Sequence, residues 1–87
     1  MTYRVEISQR AALQLRSLSE PVRERITRAA YSLRYNPRPA GVTKLEGSTD
    51  EWRIRVGDYR LIYEIRDDVL VVLVVQVGHR REIYRRR

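Results

Sequence analysis

The sequence predicts an α+β domain in which two N-terminal helices pack on one face of a small antiparallel sheet, in the order β-α-α-β-β-β. Three observations indicate this fold: an alternating segment at the N-terminus, two apolar stripes at helical spacing within residues 9–33, and three strand-like segments separated by short turns within residues 52–77. Eighty-seven residues suffice for one compact domain, so we expect residues 1–87 to form a single one.

The N-terminal part is predicted to form one strand and two helices. TYRVEI, residues 2–7, alternates apolar and polar side chains with the period of two expected of a half-buried strand. Ser8 is a suitable N-cap for a helix over residues 9–18, and Ser19 for a second helix that follows at once. NPRPAG, residues 36–41, ends the second helix, because proline disfavours a helical conformation in the residue before it.

The C-terminal half is predicted to form a meander. Its three strands are residues 52–56, 59–66 and 69–77. Gly57-Asp58 and Asp67-Asp68 are the two-residue turns between them. Residues 42–51, which contain turn formers and one apolar anchor, are expected to be an ordered loop that leads into the sheet.

The first of these turns determines which side chains oppose each other. A two-residue turn pairs Arg55 with Arg60, on the face opposite the one covered by the helices, where Arg53 also lies. Like charges directly opposed in a sheet destabilise it by about 0.2–1 kcal/mol, and an anion bound between them would offset the repulsion. Arginines also occur on the solvated face of purely structural sheets, where neighbouring acids screen them.

The C-terminal residues QVGHRREIYRRR bring further basic and aromatic groups toward this pair. Counting from the Asp67-Asp68 turn pairs Arg60 with Val75, and Gly78 is predicted to end the strand soon afterwards. The residues delivered to this end of the sheet are His79, Arg80, Arg81 and Tyr84. A phosphodiester is the ligand that such a set of guanidinium groups suits.

Three of these C-terminal groups have a functional and a plain interpretation. His79 is the only imidazole and therefore an acid or base candidate, or else a turn residue bonded to backbone. Tyr84 either stacks on a base or packs its ring on the sheet edge. Residues 85–87 are all arginine and form either a loose tail or a region of general attraction for phosphate.

The composition narrows the classes of function. Seventeen arginines and one lysine against eleven acids give a net charge of +7 and a pI near 10.5, which indicates a polyanionic partner. A coding bias toward arginine would explain the choice of arginine over lysine, but not the excess of charge. With no cysteine and one histidine, we expect no metal site and no cofactor, and hydride or acyl transfer is disfavoured. The apolar run VLVVLVV is too short to span a bilayer, so we expect a cytoplasmic protein without membrane contact.

Several segments together resemble the RelE/ParE superfamily of bacterial toxins, and within it the RelE-like mRNA interferases. They are YRVEIS, NPRP, KLEG at 44–47, WRIRVGDYRLIYEI at 52–65 and VGHRREIY at 77–84. The resemblance implies a ribosome-dependent, metal-independent endoribonuclease that cleaves mRNA in the A site of the 70S ribosome through the 2′-OH and so inhibits translation. It also implies a RelB-like antitoxin, and operator DNA binding only through the toxin–antitoxin complex.

The resemblance assigns roles to particular residues. Arg60 matches an arginine near the scissile phosphate, Arg80 one that stabilises the phosphate or protonates the leaving group, and Tyr84 a tyrosine that stacks on the attacked nucleotide. Arg53 and Arg55 stand where well-known members carry lysines. An arginine remains protonated, so their expected role is electrostatic. The further residues expected to bind RNA are Lys44, Arg81 and Arg85.

The replacement of those lysines leaves the general base open. His79, the ribosome or substrate, or no efficient base at all are the three alternatives. Two other functions also stay open: a ParE-like inhibitor of DNA gyrase without nuclease activity, and a non-catalytic RNA-binding relative of the toxins. All three functions use the same fold, so the fold alone does not separate them.

Overall fold

Two helices and one five-stranded sheet make up the part of the chain that the computed structural model describes, residues 2–47 and 50–79. The elements are β1 (Arg4–Ile7), α1 (Gln9–Arg16), α2 (Glu20–Ser32), β2 (Thr43–Lys44), β3 (Glu51–Val56), β4 (Tyr59–Arg66) and β5 (Val71–His79). The strands lie in the spatial order β1-β5-β4-β3-β2. The predicted α+β class and chain order are confirmed. Neither helix of the described ranges is long and apolar enough to cross a membrane.

The sheet is mixed, whereas the sequence predicted an antiparallel one. Strands β3, β4 and β5 form the predicted antiparallel meander, so β5 runs in the same direction as β3. β1 joins the outer edge of β5 in that direction and pairs with it in parallel. At the other edge, Thr43 and Lys44 pair with Arg53 and Trp52, so the segment predicted as a loop contains the short strand β2.

The helix boundaries follow local hydrogen bonds. Ser8 caps α1 as predicted, because its Oγ accepts the N–H of Ala11 at 3.1 Å. The helix ends at Arg16, two residues before its predicted end, where the hydroxyl and the N–H of Ser17 both donate to the carbonyl of Gln14. α2 begins after Ser19, which occupies the N-cap position without a side-chain hydrogen bond.

The core lies between the helices and one face of the sheet. Ile26 and Ala30 of α2 and Ala11 and Leu15 of α1 are buried against alternate residues of the central strands. The side chains of β3 and β4 that face the helices are Trp52, Ile54, Val56, Tyr59, Leu61 and Tyr63, as the sequence predicted.

Tyr63 is fully buried, and its hydroxyl donates a hydrogen bond to the carbonyl of Pro37 at 2.7 Å. Burial raises the pKa of Tyr63 to about 12. The hydrogen bond attaches the chain after α2 to the sheet.

The connection between β4 and β5 differs from its prediction. Residues 67–70 form this connection, instead of the Asp67-Asp68 pair alone. Within it, Leu70 has a left-handed conformation with φ of 56°. An irregularity between Ile62 and Tyr63 then leaves Val75 out of the pairing. The predicted pairing of Arg60 with Val75 is therefore wrong, and Arg60 opposes Gly78. Gly78 does not end the strand, which continues to His79.

A polar cluster joins the N-terminus to this connection. Asp67 accepts a hydrogen bond from the hydroxyl of Tyr3 at 2.6 Å and another from the Nη2 of Arg38 at 2.9 Å. The guanidinium of Arg38 also lies 5.1 Å from the ring centre of Trp52, a cation–π contact. Arg38 and Tyr3 together hold the pKa of the Asp67 carboxyl below its usual range. The cluster thus connects four separate segments of the chain.

Replacing Asp67 by asparagine tests this cluster. A lowered folded-state pKa means that the carboxylate stabilises the fold fully above its unfolded-state pKa of about 4, and that this stability is lost as the pH falls through the folded-state value. We expect Asp67→Asn to have a lower free energy of unfolding than wild type at pH 7, with the difference closing in acid. Urea unfolding over a pH series measures it. Asp68→Asn, at the exposed neighbour, is the control, and an equal effect there would contradict the role of the cluster.

Candidate nucleic-acid interface

The hairpin of β3 and β4 has the predicted register. Its two-residue turn, Gly57-Asp58, has Gly57 at φ of 62°, a conformation that glycine adopts without strain. Val56 pairs with Tyr59, and Arg55 with Arg60. Because the alternate residues of both strands belong to the helix-facing core, the two arginines lie together on the opposite face of the sheet.

A pocket of about 160 Å³ lies on this arginine-bearing face. Its lining residues are Gly41, Thr43, Arg53, Arg55 and Arg60. The pairing of Thr43 with Arg53 places the hydroxyl-bearing side chain on the same face as the guanidinium groups. We call this site the arginine pocket. Gly41 and Thr43 were not predicted as site residues, because the sequence indicated a connection and a loop there and not a strand beside Arg53.

The three guanidinium groups differ in exposure. Arg55 is exposed and Arg53 half-buried, whereas Arg60 is only 9% exposed. Arg60 lies on the central strand between Arg55 and Gly78, and glycine offers no side chain to cover it. A charge near the floor of a pocket acts through less water than an exposed one, so it attracts an anion more strongly. The pocket thus offers a deep cation with two more accessible ones around it.

Gln76 is another polar residue of this face that the sequence did not reveal. It pairs with Ile62, two residues before Gly78, and is only 5% exposed. Its Oε1 atom is buried and accepts no hydrogen bond in the described part of the chain. This carboxamide lies on the arginine-bearing face, diagonal to Arg60, and does not line the arginine pocket.

Two predicted site residues lie on the other face of the sheet. His79 pairs with Tyr59, and their rings meet edge to face with centroids 5.5 Å apart. Lys44 pairs with Trp52, and its ammonium lies 5.8 Å from the indole centre. Cross-strand partners share a face, so both side chains are directed away from the arginine pocket. The extra residues of the β4–β5 connection and the irregularity at Val75 shift His79 to this position.

The remaining predicted site residues lie beyond the described part of the chain. They are Arg80, Arg81, Tyr84 and Arg85. Their roles therefore stay predictions. His79 is the last described residue before them, and it lies one position along β5 from the partner of Arg60.

Comparison with known proteins assigns the chain to a family. Residues 5–84 match the family described as the ParE toxin of the type II toxin–antitoxin system, parDE. The chain belongs to the RelE/ParE toxin family. This toxin is 33% identical over 88 residues to the mRNA interferase toxin RelE of Escherichia coli strain K12, covering 97% of this chain and 92% of that protein. The predicted resemblance is confirmed.

Solved structures of RelE proteins share the fold of this toxin. The archaeal RelE–RelB complex from Pyrococcus horikoshii matches with a TM-score of 0.80 and 35% identity, covering 92% of this chain and 97% of that one. A mutant of the E. coli toxin RelE in the free state matches with a TM-score of 0.81 and 31% identity, covering 98% and 93%. The toxin described here is thus RelE-like in fold as well as in sequence.

The opposed arginines of this RelE-like toxin predict that the loss of one arginine stabilises the fold, whereas the loss of an ion-paired arginine destabilises it. Arg55→Gln removes a like-charge neighbour of Arg60, so we expect the free energy of unfolding to rise by about 0.2–1 kcal/mol at low ionic strength. Arg66→Gln removes an ion pair with Glu64, with an N–O distance of 2.7 Å, and should lower stability slightly. Both differences should shrink at high salt. Urea unfolding at two ionic strengths measures them, and a loss of stability in Arg55→Gln would contradict the repulsion.

Proposed function

We propose that this RelE-like toxin is an endoribonuclease that cleaves mRNA in the A site of the translating ribosome. The observation that carries the proposal is the arginine pocket, in a chain 33% identical to an E. coli protein named an mRNA interferase. Three guanidinium groups from two adjacent strands converge where the helices do not cover the sheet. Such a set binds a phosphodiester bidentately and stabilises negative charge that develops on its oxygens.

The proposed reaction uses the message as its own nucleophile. The ribose 2′-oxygen forms a bond to the adjacent phosphorus and loses its proton, while the bond from phosphorus to the 5′-oxygen of the next nucleotide breaks. The leaving oxygen takes up a proton, and the products carry a cyclic 2′,3′-phosphate and a 5′-hydroxyl. Arg60 lies deepest and is proposed to contact the non-bridging oxygens, while Arg53 and Arg55 hold the flanking charge. Arg80 is proposed to stabilise the charge on the phosphate or to protonate the leaving oxygen, and Tyr84 to stack on the attacked nucleotide.

The proton acceptor is proposed to come from outside the arginine pocket. None of the five described residues that line the pocket is a base at neutral pH, since three are arginines and the others are threonine and glycine. His79 packs against Tyr59 on the other face, which weakens its candidacy. The ribosome or the message itself is therefore the acceptor we favour. This arrangement explains physically why such a toxin would need the ribosome for cleavage.

A RelB-like antitoxin is the proposed partner in the cell. Solved relatives include RelE–RelB complexes from P. horikoshii and E. coli, at 35% and 32% identity to this chain. An antitoxin that covers the arginine pocket would block the phosphate site directly, and acidic side chains would complement its charge. Any binding to operator DNA is proposed to occur through the toxin–antitoxin complex.

Primer extension on a defined message tests the proposed activity. Wild-type toxin should cut within codons when translating ribosomes are present and leave the free message intact. Arg55→Ala and Arg80→Ala should each reduce the rate of cutting by about 10²–10³-fold, the typical cost of one group that stabilises transition-state charge. Circular dichroism would establish that both variants are folded.

A matched control and two outcomes complete this experiment. Arg16→Ala removes one exposed charge at the end of α1, away from the sheet face that bears the pocket, and should cut at the wild-type rate. Intact message on ribosomes treated with wild-type toxin would overturn the proposal. Intact message together with inhibited DNA gyrase would instead support the ParE-like alternative, which the matched family description favours.

A further inference from the structure

A second basic surface lies on the side of the molecule that the cleavage proposal does not use. It is a groove of about 480 Å³ at the C-terminal end of α2 and the turn that follows. Its lining residues are Arg28, Tyr31, Ser32, Arg34 and Tyr35. We call it the tyrosine groove. Because α2 packs on the sheet face opposite the arginines, the two sites are on opposite sides of the sheet.

The folding of α2 does not account for these side chains. Ile26 and Ala30 of α2, with Leu33 at its C-cap, form the buried stripe and are at most 2% exposed. Tyr31 and Tyr35 lie off that stripe and are 43% and 65% exposed. The exposure of two neighbouring tyrosine rings to water is unfavourable, and these rings do not contribute to the core. Exposed apolar groups of this kind are common on binding surfaces.

The groove is partly organised before any ligand binds. The guanidinium carbon of Arg34 lies 4.7 Å from the ring centre of Tyr35. The backbone carbonyl of Arg34 accepts the N–H of Tyr3 at 2.8 Å, which attaches this turn to the start of β1. The hydroxyl of Ser32 donates to the carbonyl of Ala29 at 2.7 Å, so it is directed to the helix and not to the groove. Arginines and aromatic rings are therefore the groups that the groove presents.

We propose that the tyrosine groove binds single-stranded RNA. Exposed aromatic rings stack on unpaired bases, and adjacent arginines attract the phosphates and stack as well. Among the described residues, no carboxylate lines the groove, so the groove would not repel a polyanion, and the chain as a whole carries a net charge of +7. An RNA segment bound at the tyrosine groove would keep the toxin close to RNA while the arginine pocket, on the other side of the sheet, binds the message. Binding at the groove requires no cleavage.

Fluorescence anisotropy with a labelled decamer of 2′-O-methyluridine tests the groove. This probe is single-stranded and lacks the 2′-hydroxyl nucleophile, so binding is measured apart from cleavage. The full chain with Arg53→Ala and Arg55→Ala serves as the parent, because it removes the two accessible cations of the arginine pocket. In this parent, Tyr31→Ala with Tyr35→Ala should weaken binding about tenfold or more. Arg28→Ala should weaken it less and lower its salt dependence.

Control variants separate stacking from general charge attraction. Tyr31→Phe with Tyr35→Phe retains both rings and should bind like the parent. Arg16→Ala removes a charge outside the groove, and Leu13→Ala removes an exposed apolar side chain of α1, and neither should change affinity beyond about twofold. Heparin is a polyanion without bases. Its affinity for the toxin, measured by competition with the RNA probe, should be the same with and without the two tyrosines.

The outcomes of this experiment are distinct from those of the cleavage assay. An RNA affinity within twofold of the parent after loss of both tyrosines would overturn the proposal, whatever the message-cutting result. So would an equal loss in the phenylalanine variant, since that would show that the rings do not stack. Unchanged RNA binding with loss of antitoxin binding would assign the groove to the antitoxin and likewise overturn it.

Discussion

The two-residue turn between β3 and β4 fixes the register of the hairpin that these strands form. Because side chains alternate along a strand, this turn determines at once which residues of both strands enter the core and which face away from it. Leu61 and Tyr63 are fully buried under the helices as a result. The same register places Arg55 directly opposite Arg60. Core and arginine pocket are thus two consequences of one local geometry, and a shift by one residue would destroy both.

The arginine pair is unfavourable for the isolated fold and favourable for a ligand. Opposed like charges lower stability, and the burial of Arg60 adds the cost of removing a charge from water. A bound phosphate would reduce both costs, so stability and binding are linked at this site. The two tyrosines of the tyrosine groove are also exposed on the surface instead of packed in the core. A toxin that contacts RNA on both sides of its sheet would explain why both faces carry such groups.

Parts of this structure follow from local sequence, and other parts require the whole fold. The turn at Gly57-Asp58 was predictable because glycine supplies the positive φ that a short hairpin needs. The second turn was not, since Leu70 adopts a left-handed conformation that nothing in its own residue type favours. The irregularity at Val75 was not predictable either, since no glycine or proline stands beside it in the sequence. This irregularity alone turns His79 to the face of Tyr59, because the two extra residues of the connection leave the alternation of faces unchanged. The residues predicted to act beyond His79 rest on sequence alone.

The most direct test of the arginine pocket is the stabilisation of the toxin by an uncleavable phosphodiester. Thermal unfolding would be followed with increasing 2′-O-methyl trinucleotide, at constant ionic strength, for wild type, Arg55→Ala and the Arg16→Ala control. A ligand that binds only the folded state raises the midpoint according to its concentration and affinity. Phosphate binding in the arginine pocket predicts a clear rise for wild type and for Arg16→Ala, and a much smaller rise for Arg55→Ala. Equal stabilisation of all three proteins would contradict it.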